Sequence, residues 1–182
     1  KRILVIRCGA LGDLVYATSV IDAMKYQYGV DTIIDFVSTP GGAALFKKDN
    51  RINKVFLLKH KKIPIFLSSQ KKEIIKESKN NPYDILINFE YGKQFKSLVL
   101  AIKAKTKIGA LVQDLDIPKE VKHSVDLIKY MYKDIVNKEV FDKSFPRLIG
   151  SSDEEIKNKF NLPSKYLIIS PSNSHQKRNI LN

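Results

Sequence analysis

The residues best placed for chemistry lie in the run Arg7-Cys8-Gly9-Ala10-Leu11-Gly12-Asp13, between an apolar segment and an amphipathic one. A glycine-bearing turn from strand to helix lets the backbone approach a ligand closely and aims free N–H groups at it, so it can hold an anion or a sugar hydroxyl. Gly9 and Gly12 are three apart with no third glycine three further on, which excludes the dinucleotide G-x-G-x-x-G. The absence of Gly-Lys-Ser/Thr excludes the Walker pattern. What remains is a turn that ends in a carboxylate. Asp13 then has two readings: a cap on the helix that follows, or a catalytic carboxylate.

The elements around this turn are those of an α/β domain. Ile3-Leu4-Val5-Ile6 has the unbroken apolar character of a strand buried on both faces, and Leu14, Ala17, Ile21 and Met24 recur at helical spacing. Further strands are predicted at Thr32–Val37, Lys54–Leu58, Ile85–Asn88 and Lys107–Ile108. Helices are predicted at Leu14–Tyr28, Gly42–Lys47, Ser69–Lys79, Gln94–Ala104 and Ser124–Asn137. This alternation implies a Rossmann-like parallel sheet with helices on both faces and ligands beyond the carboxyl ends of the strands. Gly9 to Asp13 falls on that edge after the first strand, and Glu90 follows the fourth on the same edge. From Asp142 to Asn161 the chain reads as linker, with a short helix that Ser151-Ser152-Asp153 can cap and Leu162-Pro163 can end.

Composition is that of a globular protein with 43% apolar residues. No apolar stretch approaches the roughly 18 residues of a spanning helix, and no signal-peptide pattern precedes the first strand, so a cytoplasmic chain is expected. One cysteine, Cys8, excludes an internal disulfide and reads as a buried thiol. His60, His123 and His175 are too scattered for metal ligation. The net charge of +13 is uneven: Lys47 to Asn81 holds 11 Lys/Arg against 3 Asp/Glu. Such a face suits an anionic partner or anionic lipid, and genomic base composition is the bland alternative. With 27 Lys and only 5 Arg, the chain lacks the Arg forks that read nucleic acid, and no nucleic-acid partner is expected.

The opening RILVIRCGALGDLVYATSVIDAMKYQY resembles that of the glycosyltransferase family 9 enzymes, the heptosyltransferases of lipopolysaccharide synthesis. Later segments follow in the family's order: Asn81-Pro82-Tyr83-Asp84-Ile85-Leu86-Ile87, Lys96-Ser97, Lys107-Ile108-Gly109, Lys122-His123-Ser124-Val125-Asp126 and Leu167 to Arg178. The resemblance implies the first half of a GT-B enzyme. Residues 1–145 would be a Rossmann-like acceptor-binding domain, 146–163 a linker, and 164–182 the start of a nucleotide-sugar-binding domain, opening with a strand at Tyr166–Ser170. An incomplete chain, inactive by itself, is therefore expected.

The implied reaction is inverting transfer of heptose from ADP-heptose to an anionic inner-core glycolipid at the inner membrane surface, without metal or cofactor. Asp13 would be the base. Arg7, Gly9, Gly12 and Lys96 would meet the acceptor, and Ser172, Asn173 and Lys177 the donor. The family's Trp-Pro after that lysine is replaced here by Asn179-Ile180.

Two other classes compete. A nucleotide-binding oxidoreductase or methyltransferase is disfavoured by the glycine pattern and by Asp35 lying inside the second strand instead of closing it. A non-catalytic anion- or lipid-binding module of the same fold is the remaining alternative.

Overall fold

The computed structural model describes residues 1–165. The expected strand Tyr166–Ser170 and the donor-side residues Ser172, Asn173 and Lys177 lie outside the described residues. Lys1–Gly150 form one compact unit, and a second begins at Ser151.

In the first unit the chain runs β1 (Arg2–Ile6), α1 (Leu11–Ala17), α2 (Ser19–Tyr28), β2 (Ile33–Ser38), α3 (Pro40–Ala43), β3 (Lys54–Leu57), α4 (Ser69–Asn80) and β4 (Tyr83–Asn88). It continues with α5 (Lys96–Ala101), β5 (Ala104–Gly109), α6 (Ser124–Tyr130) and α7 (Lys138–Lys143). All strand pairs are parallel, in the order β3-β2-β1-β4-β5, which is the α/β architecture expected.

The period of two along each strand divides the core. Ile3 and Val5 of β1 face Leu14, Ile21 and Met24 of α1 and α2, together with Ile128 of α6. Leu4 and Ile6 face the other way, onto Ile74 of α4 and Leu98 and Val99 of α5. Helices therefore cover both faces. Losing one such side chain to alanine costs about 2 to 5 kcal/mol, so the central strand that ends in the glycine turn is firmly held.

Several boundaries differ from expectation for local reasons. The helix predicted at Leu14–Tyr28 begins earlier, at Leu11, and breaks at Thr18. There the Thr18 hydroxyl donates to the carbonyl of Val15 at 2.6 Å and the Ser19 hydroxyl to that of Tyr16 at 3.0 Å, competing with the helical ladder. The predicted helix Ser124–Asn137 stops at Tyr130; a tighter turn at Lys133–Ile135 follows, and Asn137 caps α7 by accepting from the N–H of Val140 at 2.8 Å. β5 is longer than Lys107–Ile108. It is an edge strand whose exposed Lys105 pairs with Asp84 at 2.7 Å, and charges of this kind hide a strand from apolar patterning.

Asp35 is wholly buried toward the amino ends of the strands. It accepts from Arg2 at 2.8 Å, the Tyr83 hydroxyl at 2.9 Å and Asn53 at 2.8 Å. In the second unit α8 (Asp153–Phe160) is the short helix expected. Ser152 and Glu155 form its capping box, and Asn161 ends it in the left-handed conformation at φ 51°.

Candidate active site

The strand order reverses at β1, so the connections leaving β1 and β4 part from each other there and open a crevice at the carboxyl edge of the sheet. Arg7, the first residue beyond β1, is still tied to β2 through its N–H on the carbonyl of Val37 at 3.1 Å. The next N–H, that of Cys8, turns the other way and donates to Oε1 of Glu90 at 2.6 Å. Glu90 is itself fixed by Asn88, whose side-chain oxygen accepts from the Glu90 N–H at 3.2 Å while its amide donates to the Glu90 carbonyl at 3.0 Å.

Arg7 ties the site together. Its Nη1 donates to the carbonyl of Phe89 at 2.7 Å and lies 3.8 Å from Oε1 of Glu90, while Nη2 lies 3.1 Å from Oδ2 of Asp13. Among the described residues its buried Nε has no hydrogen-bond partner, which leaves one donor of the fork unspent. Asp13 is the third residue of α1. Oδ2 accepts from the N–H of Ala10 at 3.2 Å, yet 40% of its side chain remains exposed, whereas Glu90 is 9% exposed. Of the two carboxylates only Asp13 is open to a substrate.

The expected roles of the glycines divide. Gly9 is a close-approach position: a Cβ built there would sit 2.6 Å from Oδ2 of Asp13 and 3.2 Å from Nε of Arg7. Gly12 is not in the turn. It lies in the first turn of α1, where a Cβ would meet nothing within 4 Å, so its place in the sequence pattern answers to no steric need on this surface. Lys96 is exposed at the start of α5 and does not line the cavity at Asp13.

That cavity, of about 90 Å³, is bounded by Arg7, Asp13, Tyr16, Tyr91 and Ser124 over an apolar floor from α6. Tyr16 meets the ring of His123 edge-on at 6.1 Å, and His123 Nδ1 accepts from the N–H of Val125 at 3.2 Å to cap α6. Burial, and next to it the charge of Glu90, pushes the Cys8 thiol up to about 12, so Cys8 is no nucleophile at neutral pH.

A second cavity, of about 370 Å³, is lined by Lys59, His60, Lys61, Lys62, Ile63 and Gln94. Lys61 reaches from it to the carbonyl of Cys8 at 2.6 Å, bringing a cation beside the Asp13 turn. The loop is held from beneath by Lys71, only 1% exposed, whose ammonium donates to the carbonyls of Lys61 and Ile63 at 2.7 Å each. Burial lowers its pKa.

The structure brings Arg7, Gly9, Asp13 and Glu90 together at this edge. Beside them it places Tyr16 and Tyr91, which the sequence did not single out, and Lys61 and Lys71 of the basic segment. Tyr91 is signalled by its place immediately beyond Glu90, and Tyr16 by its position one helical turn after Asp13 on α1.

The arrangement offers a half-exposed carboxylate held by a guanidinium at the switch point of a doubly wound sheet. No protein-family model and no curated protein matches the chain. Solved structures do. The glycosyl transferase family 9 protein from Veillonella parvula superposes with a TM-score of 0.68 over 90% of this chain and 51% of that one, at 17% identity. The E. coli heptosyltransferase WaaC with ADP gives a TM-score of 0.60 over 98% of this chain and 60% of that one, at 17% identity. The E. coli ADP-heptose lps heptosyltransferase II gives 0.62 over 90% and 52%, at 16% identity.

The described residues share the fold of one Rossmann-like half of a GT-B structure. The chain spans about half to three fifths of the length of these structures. In GT-B terms, Arg7, Gly9 and Asp13 stand on the carboxyl edge of one Rossmann-like sheet. No helix among the described residues is long and apolar enough to cross a membrane.

Proposed function

We propose that this chain supplies the acceptor-binding half of an inverting glycosyltransferase, with Asp13 as general base. One observation carries the reading: the carboxylate that Arg7 orients is the exposed one of the pair at the switch point, and it lines a cavity with the hydroxyl-bearing Tyr16, Tyr91 and Ser124. Asp13 takes the proton of an acceptor hydroxyl as that oxygen forms its bond to the anomeric carbon of the donor sugar. The bond from that carbon to the diphosphate breaks on the opposite face, which inverts the centre. A positioned base of this kind contributes about 10² to 10⁴-fold.

The donor is ADP-heptose, a reading supported by the similarity to E. coli heptosyltransferase WaaC with ADP-2-deoxy-2-fluoro heptose. Lys177 neutralises the charge that grows on the departing diphosphate, with Ser172 and Asn173 as hydrogen-bond partners. The acceptor is an anionic inner-core glycolipid, whose charge suits the Lys59–Lys62 wall beside the turn. Lys96 stands ready on α5 for a more distant part of it. The protein works at the cytoplasmic face of the membrane that carries this acceptor.

The test is Asp13→Asn in the complete gene product, assayed for heptose transfer from ADP-heptose. Asparagine keeps an oxygen for the Ala10 N–H, so stability changes by less than about 1 kcal/mol. Turnover falls at least a hundredfold, with donor affinity nearly unchanged. Near-normal turnover overturns the assignment of Asp13. No transfer from any nucleotide sugar by the wild-type protein, with retained binding of anionic glycolipid, favours the non-catalytic module instead.

A further inference from the structure

We propose that the loop from Lys59 to Lys72, tipped by Phe66 and Leu67, docks this protein on an anionic lipid bilayer by inserting those two side chains among the headgroups. The proposal deepens the reading above, resting on it for the membrane-borne acceptor, but its evidence lies in the loop itself. Phe66 and Leu67 are 71% and 68% exposed, two large apolar neighbours left in water on the turn Ile65–Leu67. The turn is held by backbone bonds from Leu67 to Pro64 and from Ser68 to Ile65, each 3.1 Å, and Ser68 then caps α4 by accepting from the N–H of Lys71 at 3.2 Å. The apolar tip is thus built on a hydrogen-bonded base.

Charge chooses the partner. The fourteen residues of this loop contain five lysines and no acid. Lys61 and Lys71 are engaged internally, on the carbonyl of Cys8 and on the loop's own carbonyls, while Lys59, Lys62 and Lys72 are exposed on the same segment. Exposed Lys93 and Lys96 flank Gln94, which lines the same cavity as Lys59 and Lys62. The acid that follows the loop, Glu73, is paired with Lys54 at 3.4 Å.

Two side chains are far too small a footprint for a stable protein interface, which needs about 800 Å² on each partner. A pair of inserted apolar groups with a ring of lysines is instead the two-part signal that holds proteins on anionic lipid. Docked this way, the loop would bring the Lys61 contact to Cys8, and with it the Asp13 turn, close to the bilayer surface.

The chain has no tryptophan, so Phe66→Trp gives a single reporter. Added to vesicles of phosphatidylcholine with about 30% phosphatidylglycerol, a composition that supplies the anionic surface potential lysines respond to, this variant should show a blue-shifted emission that acyl-chain bromines quench. Pure phosphatidylcholine should give little change. In the otherwise native protein, Phe66→Ser with Leu67→Ser should weaken partitioning onto the anionic vesicles at least tenfold, with an unchanged melting temperature because both positions are exposed.

No blue shift on anionic vesicles, or unchanged partitioning of the double serine variant, overturns the proposal. So does a blue shift equally large with heparin or an acidic peptide, which would mark a soluble polyanion as the partner. These readings need neither donor nor turnover, so loss of the transferase reading leaves them standing, and their failure leaves Asp13 untouched.

Discussion

Oε1 of Glu90 accepts the backbone N–H of Cys8 at 2.6 Å, a buried bond that closes 82 residues of chain at the crevice of the sheet. It gives Glu90 an occupation: this carboxylate holds the turn after β1 in place, while Asp13, on the other side of Arg7, is left for chemistry. The two acids are thereby separable by experiment.

Glu90→Gln keeps an oxygen for the Cys8 N–H, so stability should hold within about 1 kcal/mol and turnover within about tenfold. Glu90→Ala orphans a buried donor and should cost about 1 to 3 kcal/mol. Denaturant titration and transfer assays on both variants check this; a hundredfold loss of turnover in Glu90→Gln would make Glu90 the base.

Gly9→Ala and Gly12→Ala should behave oppositely. A methyl at Gly9 meets Oδ2 of Asp13 at 2.6 Å and must displace it, so turnover should fall at least tenfold. Gly12 has open space within the first turn of α1, and alanine there should stabilise by up to about 1 kcal/mol with little change in turnover. Chemical denaturation and kinetics of the pair decide it.

With its pKa pushed up to about 12 by burial and by Glu90, Cys8 should resist iodoacetamide at about pH 8 in the native protein and react fully in guanidinium. As the chain's one cysteine, it makes mass spectrometry of the alkylated protein unambiguous. Fast native labelling would show that the turn opens.

Asp84 is held at about 2, first by its hydrogen bond from Lys105 and then by the N–H of Arg2. Its folded pKa lies below the unfolded 3.8, so the stability it contributes is present above about 3.8 and is lost as pH falls toward about 2. Asp84→Asn should therefore flatten the decline of melting temperature between about pH 4 and 2, compared with the wild type over the same range. A parallel decline in both proteins would contradict the assignment.

The sequence carried the strands wherever burial makes them apolar, as in Ile3–Ile6 and Ile85–Asn88. Of β5 it carried only Lys107–Ile108, because Lys105 and Thr106 are exposed on an edge and follow no apolar pattern. It did not carry the break at Thr18, decided by two hydroxyls that fit either a helix interior or its end. The place of Gly9 and Asp13 beyond β1 was legible because a strand-to-helix connection is local. Gly12 was placed in the turn wrongly, because Leu11 already begins the helix. Tyr16 shares α1 with Asp13, whereas Lys61 and Tyr91 come from separate segments that only tertiary structure brings to the turn.

β1 is the first strand in the chain and the central one in the sheet, paired to β2 on one side and β4 on the other. During synthesis it therefore emerges before either neighbour exists, and its apolar residues wait through roughly eighty positions for the segment that completes their pairing. Closing so long a loop is an entropic cost that local contacts cannot offset early. The crevice that joins Arg7 to Glu90 therefore cannot be assembled until the chain has been made as far as Glu90.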